Sequence, residues 1–358
     1  MYQNQNYTKP KITVPKLLDQ KTVVEQNYQY ALKRSRGEIV SLATCYKGLN
    51  HIIQGGFESN TMLTISALSG GGKSTLAKRL VNSIIANLSS GNSPKKGIAL
   101  SFNFEMLAHK TVGREIANRS KTLLSDLYSS YGKTDEKFLE ELYEDHYKKL
   151  MNYPLYYVEE PQNDLVIGKT IYDTWKKLCK PTGKYMIVEI DHASITKGRQ
   201  NEDAKRKIDN LMETLNYTKK KIASEGGNVF YIVLSQMNRD IKHRDRIMTE
   251  ELHYPISSDL FQSSTIEHFS DYILISHMPS KLNIKSYTDQ KLPVYLMDEK
   301  TGEATQFIYW HLIKNREGEA DRTVPMLNNL KYFDFTEISS EKFKEYHQQF
   351  MQKGIVTK

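Results

Sequence analysis

The sequence holds only two cysteines, Cys45 and Cys179, far apart along its 358 residues. So sparse a pair excludes a disulfide framework and a cysteine-built zinc site, and it fits reduced thiols in a cytoplasmic setting. No run approaches the ~20 consecutive apolar residues that a membrane-spanning helix needs, so no membrane partner is expected. The opening stretch, MYQNQNYTKPKITV, lacks the apolar core of a secretory leader. Internal repeats and long low-complexity tracts are also missing.

Against those absences stand 50 lysines and arginines over 42 aspartates and glutamates, a formal charge of +8. That excess suits a nucleic-acid partner without requiring one, because many basic proteins bind none. Most of the 23 tyrosines are expected to be half-buried amphipathic side chains, with a few placed to stack on bases. Residues 1–15 are polar, carry Pro10 and Pro15, and read as an arm. Residues 16–40 space Leu17, Leu18, Val23, Val24, Tyr28, Tyr30, Ala31 and Leu32 at roughly helical intervals. An amphipathic helix there must bury its stripe on its own domain or on a neighbouring subunit.

Residues 41–335 alternate apolar strand-like runs with helical stretches, the pattern of a parallel sheet with crossover helices. The predicted strands are Met62–Ala67, Gly97–Asn103, Leu155–Glu159, Tyr185–Asp191, Val229–Ser235 and Tyr272–Ser276. Leu292–Asp298 and Gln306–Lys314 read as an added antiparallel pair around Thr301 and Gly302. Asp135–Met151 has the composition of a solvated outer helix, and residues 336–358 form a polar tail that is helical in part.

Between the first strand and the helical run Thr75–Ile84 lies Ala67-Leu68-Ser69-Gly70-Gly71-Gly72-Lys73-Ser74, of the form A-x-x-x-x-G-K-S. Consecutive glycines let backbone N–H groups turn around a phosphate, while the helix that opens at Thr75 points its positive end at the same charge. Lys73 is placed to reach the β- and γ-phosphates, and the Ser74 hydroxyl to hold Mg²⁺. A glycine-rich turn that merely contains GKS is the bland alternative; the strand before and the helix after argue against it.

Hydrolysis needs carboxylates and a group that senses the γ-phosphate. Asp191 ends an apolar strand where a Walker-B acid belongs, and its position at the strand tip favours it over Glu189. Glu105 follows the second strand at the same edge and becomes a candidate general base, although a lone Glu there is ordinarily a helix N-terminal charge. Gln236, in Ser235-Gln236-Met237-Asn238-Arg239, ends the fifth strand, where an amide could read the γ-phosphate or simply cap a turn.

Taken in order, these pieces resemble the C-terminal motor domain of the DnaB family of replicative helicases, from about Gly37 to Tyr332. Asn103-Phe104-Glu105-Met106 is similar to the family's S-L-E-M, and Ile190-Asp191-His192 stands in its Walker-B position. Ser235–Arg239 is close to S-Q-L-N-R. Ser258-Asp259-Leu260 through Glu267 and Asp271 resembles D-L-R-E-S-G-x-I-E-x-x-A-D, and Ile313–Gly318 resembles the late K-x-R-x-G element. The resemblance implies an α/β, RecA-like P-loop NTPase core, a mainly parallel sheet flanked by helices, with an N-terminal linker helix. It implies a homohexameric ring on single-stranded DNA, with ATP or another NTP and Mg²⁺ bound where subunits meet. Primase, a helicase loader and a polymerase are the further partners it suggests.

By the same resemblance, Glu105 is the catalytic glutamate, Asp191 the Mg²⁺-associated carboxylate and Gln236 the γ-phosphate sensor. Lys314 and Arg316 reach the neighbouring subunit's site, Arg316 as an arginine finger; alone, that segment would be an ordinary basic turn. Phe261-Gln262-Ser263-Ser264 replaces the family's Arg-Glu-Ser-Gly DNA loop and so lacks its arginine. Gln262 and Ser263 can still donate hydrogen bonds, and Lys242, His243, Arg244 or Arg246 can supply the charge unless they form only a solvated loop. The short N-terminus leaves a linker helix without the family's collar domain, as in a compact phage- or virus-encoded member in a bacterial cytoplasm. A RecA- or RadA-like recombinase and a non-motor NTP-binding loading partner are the competing expectations.

Overall fold

The computed structural model describes residues 17–90, 96–129, 135–199, 202–261 and 263–358. The expected arm and Gln262 lie outside these residues. The chain divides into two compact units, Met1–Val40 and Ser41–Lys358. In the first, the helix Gln20–Ser35 starts where the Asp19 carboxylate accepts the Thr22 N–H at 2.7 Å. Lys33 and Arg34 in its last turn favour the negative end of the helix dipole, and the chain leaves through Gly37 at φ +70°. The helix is shorter at both ends than residues 16–40, because cap chemistry rather than periodicity sets its limits.

The second unit is built on a ten-stranded sheet. Its strands include β1 (Thr61–Ala67), β2 (Gly97–Asn103), β3 (Leu155–Val158), β4 (Tyr185–Asp191), β5 (Val229–Gln236) and β6 (Tyr272–His277). A small separate hairpin joins β7 (Ser286–Tyr287) to β8 (Leu292–Pro293). Then follow β9 (Tyr295–Met297), β10 (Ala304–Asn315), β11 (Arg322–Asn329) and β12 (Asp334–Glu337). The order across the sheet is β12-β11-β10-β6-β1-β5-β4-β2-β3, with β9 paired to β10. From β6 to β3 every pairing is parallel, and β10, β11 and β12 add on antiparallel. Apolar runs such as Met186–Val188 and Phe230–Leu234 are fully buried, as parallel strands covered on both faces must be.

Strand β11 was not expected from the sequence. β11 carries Pro325 opposite Tyr309, and a proline reads as a strand breaker although here it lies inside a paired strand. In the polar tail, expected to be helical in part, Ser339 caps the helix Ser340–Lys353, and Phe343, Tyr346 and Phe350 pack against the core. The helix expected at Asp135–Met151 is capped by Asp135 and widens by one π-type turn at Tyr143–Tyr147. Its Leu142 joins Ile116, Ala117 and Leu127 in a satellite core.

Candidate active site

Four strands adjacent in space, β1, β5, β4 and β2, end at one edge of the sheet. Ala67 is level with Gln236, and Asn103 with Asp191. Parallel register therefore carries the phosphate loop, the amide and the two acids to one place, although some 170 residues of sequence separate Ala67 from Gln236. Ser69, Gly70, Gly72, Lys73, Ser74, Thr75, Glu105 and Gln236 line a single cleft of about 540 Å³, with Ala67 and Leu68 at its base.

The loop's shape is imposed from outside the cleft. Ser276 Oγ donates to the Gly71 carbonyl at 2.9 Å, and Lys281 Nζ to the Ser69 carbonyl at 2.9 Å. Across a trans peptide, C=O and N–H point opposite ways, so holding these two carbonyls turns the Gly70 and Gly72 N–H groups the other way. Gly72, at φ +82°, opens the helix Lys73–Ser89, and an added Cβ would lie 2.7 Å from Phe335. Only glycine fits both demands.

Lys73 is held below its ordinary pKa by burial, with Asp191 and Glu105 pulling the other way. Burial and the nearby Glu189 push Asp191 up to about 6, while the Ser74 hydroxyl and Lys73 oppose the rise. Asp191 Oδ1 is buried with no hydrogen-bond partner among the described residues. An orphaned carboxylate oxygen beside a Ser74 hydroxyl is a donor set that fits Mg²⁺. Glu189 is different: it is buried against Lys78 Nζ at 2.5 Å and the Ser101 hydroxyl at 2.6 Å, a closed structural ion pair. His192 is 5% exposed and is driven down to about 4 by burial and by Lys73. Its Nε2 lies 3.3 Å from Gln236 Nε2 and 3.6 Å from Glu105 Oε2.

Sequence reasoning missed Arg114, Leu330 and Phe333, which line the same cleft, together with Arg239 and Lys242. No motif marks the first three, because they come from a helix face and from the β11–β12 turn. With Lys73, the three other cations give the cleft the charge a polyphosphate needs.

Lys314 and Arg316 lie elsewhere. Asn315 pairs with Tyr272, which is level with Leu63, four residues before Ala67. They sit at the opposite edge of the sheet, roughly 13 Å from the loop at about 3.3 Å per residue. Arg316 donates to Asp271 Oδ1 at 3.1 Å, and Lys314 Nζ to the Glu267 carbonyl.

Of the residues expected on DNA, Arg244 and Ser264 are exposed. Arg246 is largely engaged within its own chain: the Asp259 carboxylate and the Leu252 and Tyr254 carbonyls take four hydrogen bonds from its guanidinium. Phe261 is partly buried, packed against the core. Ser263 begins the helix Ser263–Phe269.

The family model for the DnaB-like helicase C terminal domain matches residues 41–337. The chain belongs to the DnaB-like helicase family. It is thus an NTP-hydrolysing helicase of the P-loop class, with a RecA-like core. Among solved structures it is similar to an ATPase domain, at 17% identity and TM-score 0.69, over 90% of this chain and 100% of that one. It is also similar to a DnaB-like replicative helicase described with its interactions with primase, at 16% identity and TM-score 0.68, over 90% of this chain and 68% of that one. No curated protein matches the sequence. Among the described residues, no helix of this DnaB-like chain is long and apolar enough to cross a membrane.

Proposed function

We propose that this DnaB-like helicase is a ring-forming motor that translocates on single-stranded DNA and separates duplex strands at the expense of ATP or another NTP. The observation that carries it is the division of parts between two edges of one sheet. Lys73, Ser74, Glu105 and Gln236 line one cleft and Asp191 lies beside Ser74, while Lys314 and Arg316 stand at the other edge, beyond reach of their own loop. A cation in that position serves a neighbouring copy, which is how a ring couples hydrolysis to subunit movement. A homohexamer is the closed form we assign.

In this reading the Lys73 ammonium and the loop N–H groups hold the triphosphate. Glu105 orients and deprotonates the attacking water, and Gln236 hydrogen-bonds the γ-phosphate. Ser74 and Asp191 would hold Mg²⁺, which spreads the charge of the phosphates when bound. Gln236 is also tied to the DNA-side segment: Phe261 N–H donates to the Gln236 carbonyl at 2.9 Å, and Asn238 N–H to the Asp259 carbonyl at 2.7 Å. The end of β5 that carries the Gln236 amide is therefore bonded to the segment before Ser264, which with Arg244 is the assigned DNA contact. Primase is the proposed protein partner.

The test is NTP hydrolysis and fork unwinding with the Lys73→Ala variant. Wild type should hydrolyse faster with single-stranded DNA and open a forked duplex. The variant should lose about 10²-fold or more in turnover, the scale of removing one preorganised charge donor. Hydrolysis without unwinding on any fork would remove the motor assignment, and filaments in place of rings by electron microscopy would favour a recombinase.

A further inference from the structure

His192 lies between the two groups that the proposed mechanism treats as independent. It follows Asp191 at the tip of β4, and its ring is buried, with only 5% of its side chain exposed. Nδ1 lies 2.7 Å from Ser194 Oγ, a partner on its own turn. Nε2 faces the cleft and stands 3.3 Å from the Gln236 amide nitrogen and 3.6 Å from Glu105 Oε2. A neutral imidazole has one N–H and one bare nitrogen, so each face of the ring does one job. With Gln236 donating, Nε2 accepts, and Nδ1–H donates to Ser194.

We propose that His192 is a positioning residue that links the γ-phosphate sensor to the water-orienting carboxylate through the Nε2 face of its ring. The argument is geometric. Gln236 and Glu105 end on strands that are not neighbours, since β4 lies between β5 and β2. The residue at the tip of that middle strand comes within 4 Å of both polar groups. Glu105 is itself 56% exposed, so little besides this contact limits its swing. When a γ-phosphate draws the Gln236 amide away, the ring takes its other neutral tautomer: the Ser194 hydroxyl donates to Nδ1, and Nε2–H is free to donate to Glu105, just outside hydrogen-bond range at 3.6 Å. Nucleotide binding at one strand tip thereby sets the carboxylate at another. Ordering Glu105 in this way changes the turnover rate and leaves phosphate binding, carried by Lys73 and the loop, as it was.

The inference rests on the roles proposed for Glu105 and Gln236. Its test compares His192→Phe, His192→Gln and His192→Asn for kcat, for KM, for direct binding of a fluorescent ATP analogue and for melting temperature. The Phe variant should lose roughly 10- to 100-fold in kcat with nucleotide affinity nearly unchanged, the scale of a misplaced catalytic group. The Gln variant, whose amide reaches toward the Nε2 position, should recover part of the loss. The Asn variant, whose amide reaches only the Nδ1 side, should not. Recovery by Asn and not by Gln would overturn the proposal, since the Ser194 contact alone would then matter. So would wild-type turnover in the Phe variant. Should the Phe variant fail to fold, the Gln and Asn pair decides by the same criterion. Failure of the underlying reading looks different: Glu105→Gln would then turn over like wild type, whatever the His192 variants do.

Discussion

The two edges of the sheet treat charge in opposite ways. At the edge that carries the phosphate loop, Asp191 Oδ1 lacks a partner among the described residues, the Lys73 pKa is lowered by burial and Glu105 projects into open cleft. At the other edge the charges are engaged. Asp271 accepts from Lys219 Nζ at 2.8 Å, from the Met62 N–H at 2.8 Å and from Arg316, while Lys314 caps the end of a helix. An edge that awaits a ligand leaves its polar groups unsatisfied, at a cost in stability. An edge that offers a group outward can tether it in the meantime. Arg316, 45% exposed, is held by a carboxylate that Lys219 also neutralises, so its release leaves no bare buried charge.

The strongest way to break this contrast is to remove Arg316. Turnover of Arg316→Ala should fall about 10³-fold, the low end for an arginine finger, with ATP binding retained. Mixed oligomers of Arg316→Ala and Lys73→Ala should then regain activity, because an intact loop on one subunit meets an intact arginine on the next. Steady-state phosphate release across mixing ratios measures this, and a curve that stays flat at the level of the two parent variants would place the arginine in its own subunit's site.

A smaller effect tests whether the tethering edge is structural. Asp271→Asn leaves Lys219 buried without its counter-charge and should lower unfolding free energy by about 3 kcal/mol. Urea melts read it directly. A loss near zero would mean that the ion pairs only decorate the edge.

A last effect, spread over a pH range rather than read from one variant, comes from a buried polar cluster that belongs to neither edge's chemistry. Tyr287 OH lies 2.7 Å from His277 Nδ1 and 2.8 Å from His311 Nε2, and His311 Nδ1 lies 3.0 Å from Thr323. Burial, aided by the charges of His253 and Arg246, drives His277 down to about 3, and burial lowers His311 as well. Unfolding returns both rings to about 6.5, so below that pH the unfolded chain takes up more protons. Stability is therefore whole above about pH 6.5 and falls with acid, by up to about 1.4 kcal/mol per pH unit for each ring. Melts between about pH 7 and pH 5 should show the slope, and His311→Gln should flatten it. A flat wild-type profile would show that the cluster is less buried than its geometry requires.

Much of the cleft was legible because its signals are local. Three glycines followed by Lys73 and Ser74 state a backbone requirement within eight residues, and Asp191 and Gln236 end strands whose apolar runs announce themselves. That the sheet is mainly parallel follows from the resemblance and from alternation; the order of its strands does not. β11 was hidden by Pro325, and Arg246 read as a cation for DNA because nothing in the sequence pairs it with Asp259, 13 residues on.

What the sequence determined by itself, then, is the phosphate loop, the acids and amide at the strand ends, and the family. Each is set by residues near one another in the chain, where sterics and hydrogen bonding act directly. Tertiary structure alone decided that Arg114, Arg239, Lys242 and Phe333 face the cleft, that His192 stands between Glu105 and Gln236, and that Arg316 lies across the sheet from its own loop. Those facts depend on register between distant strands, and register follows from packing of the whole core, which no short stretch of sequence encodes.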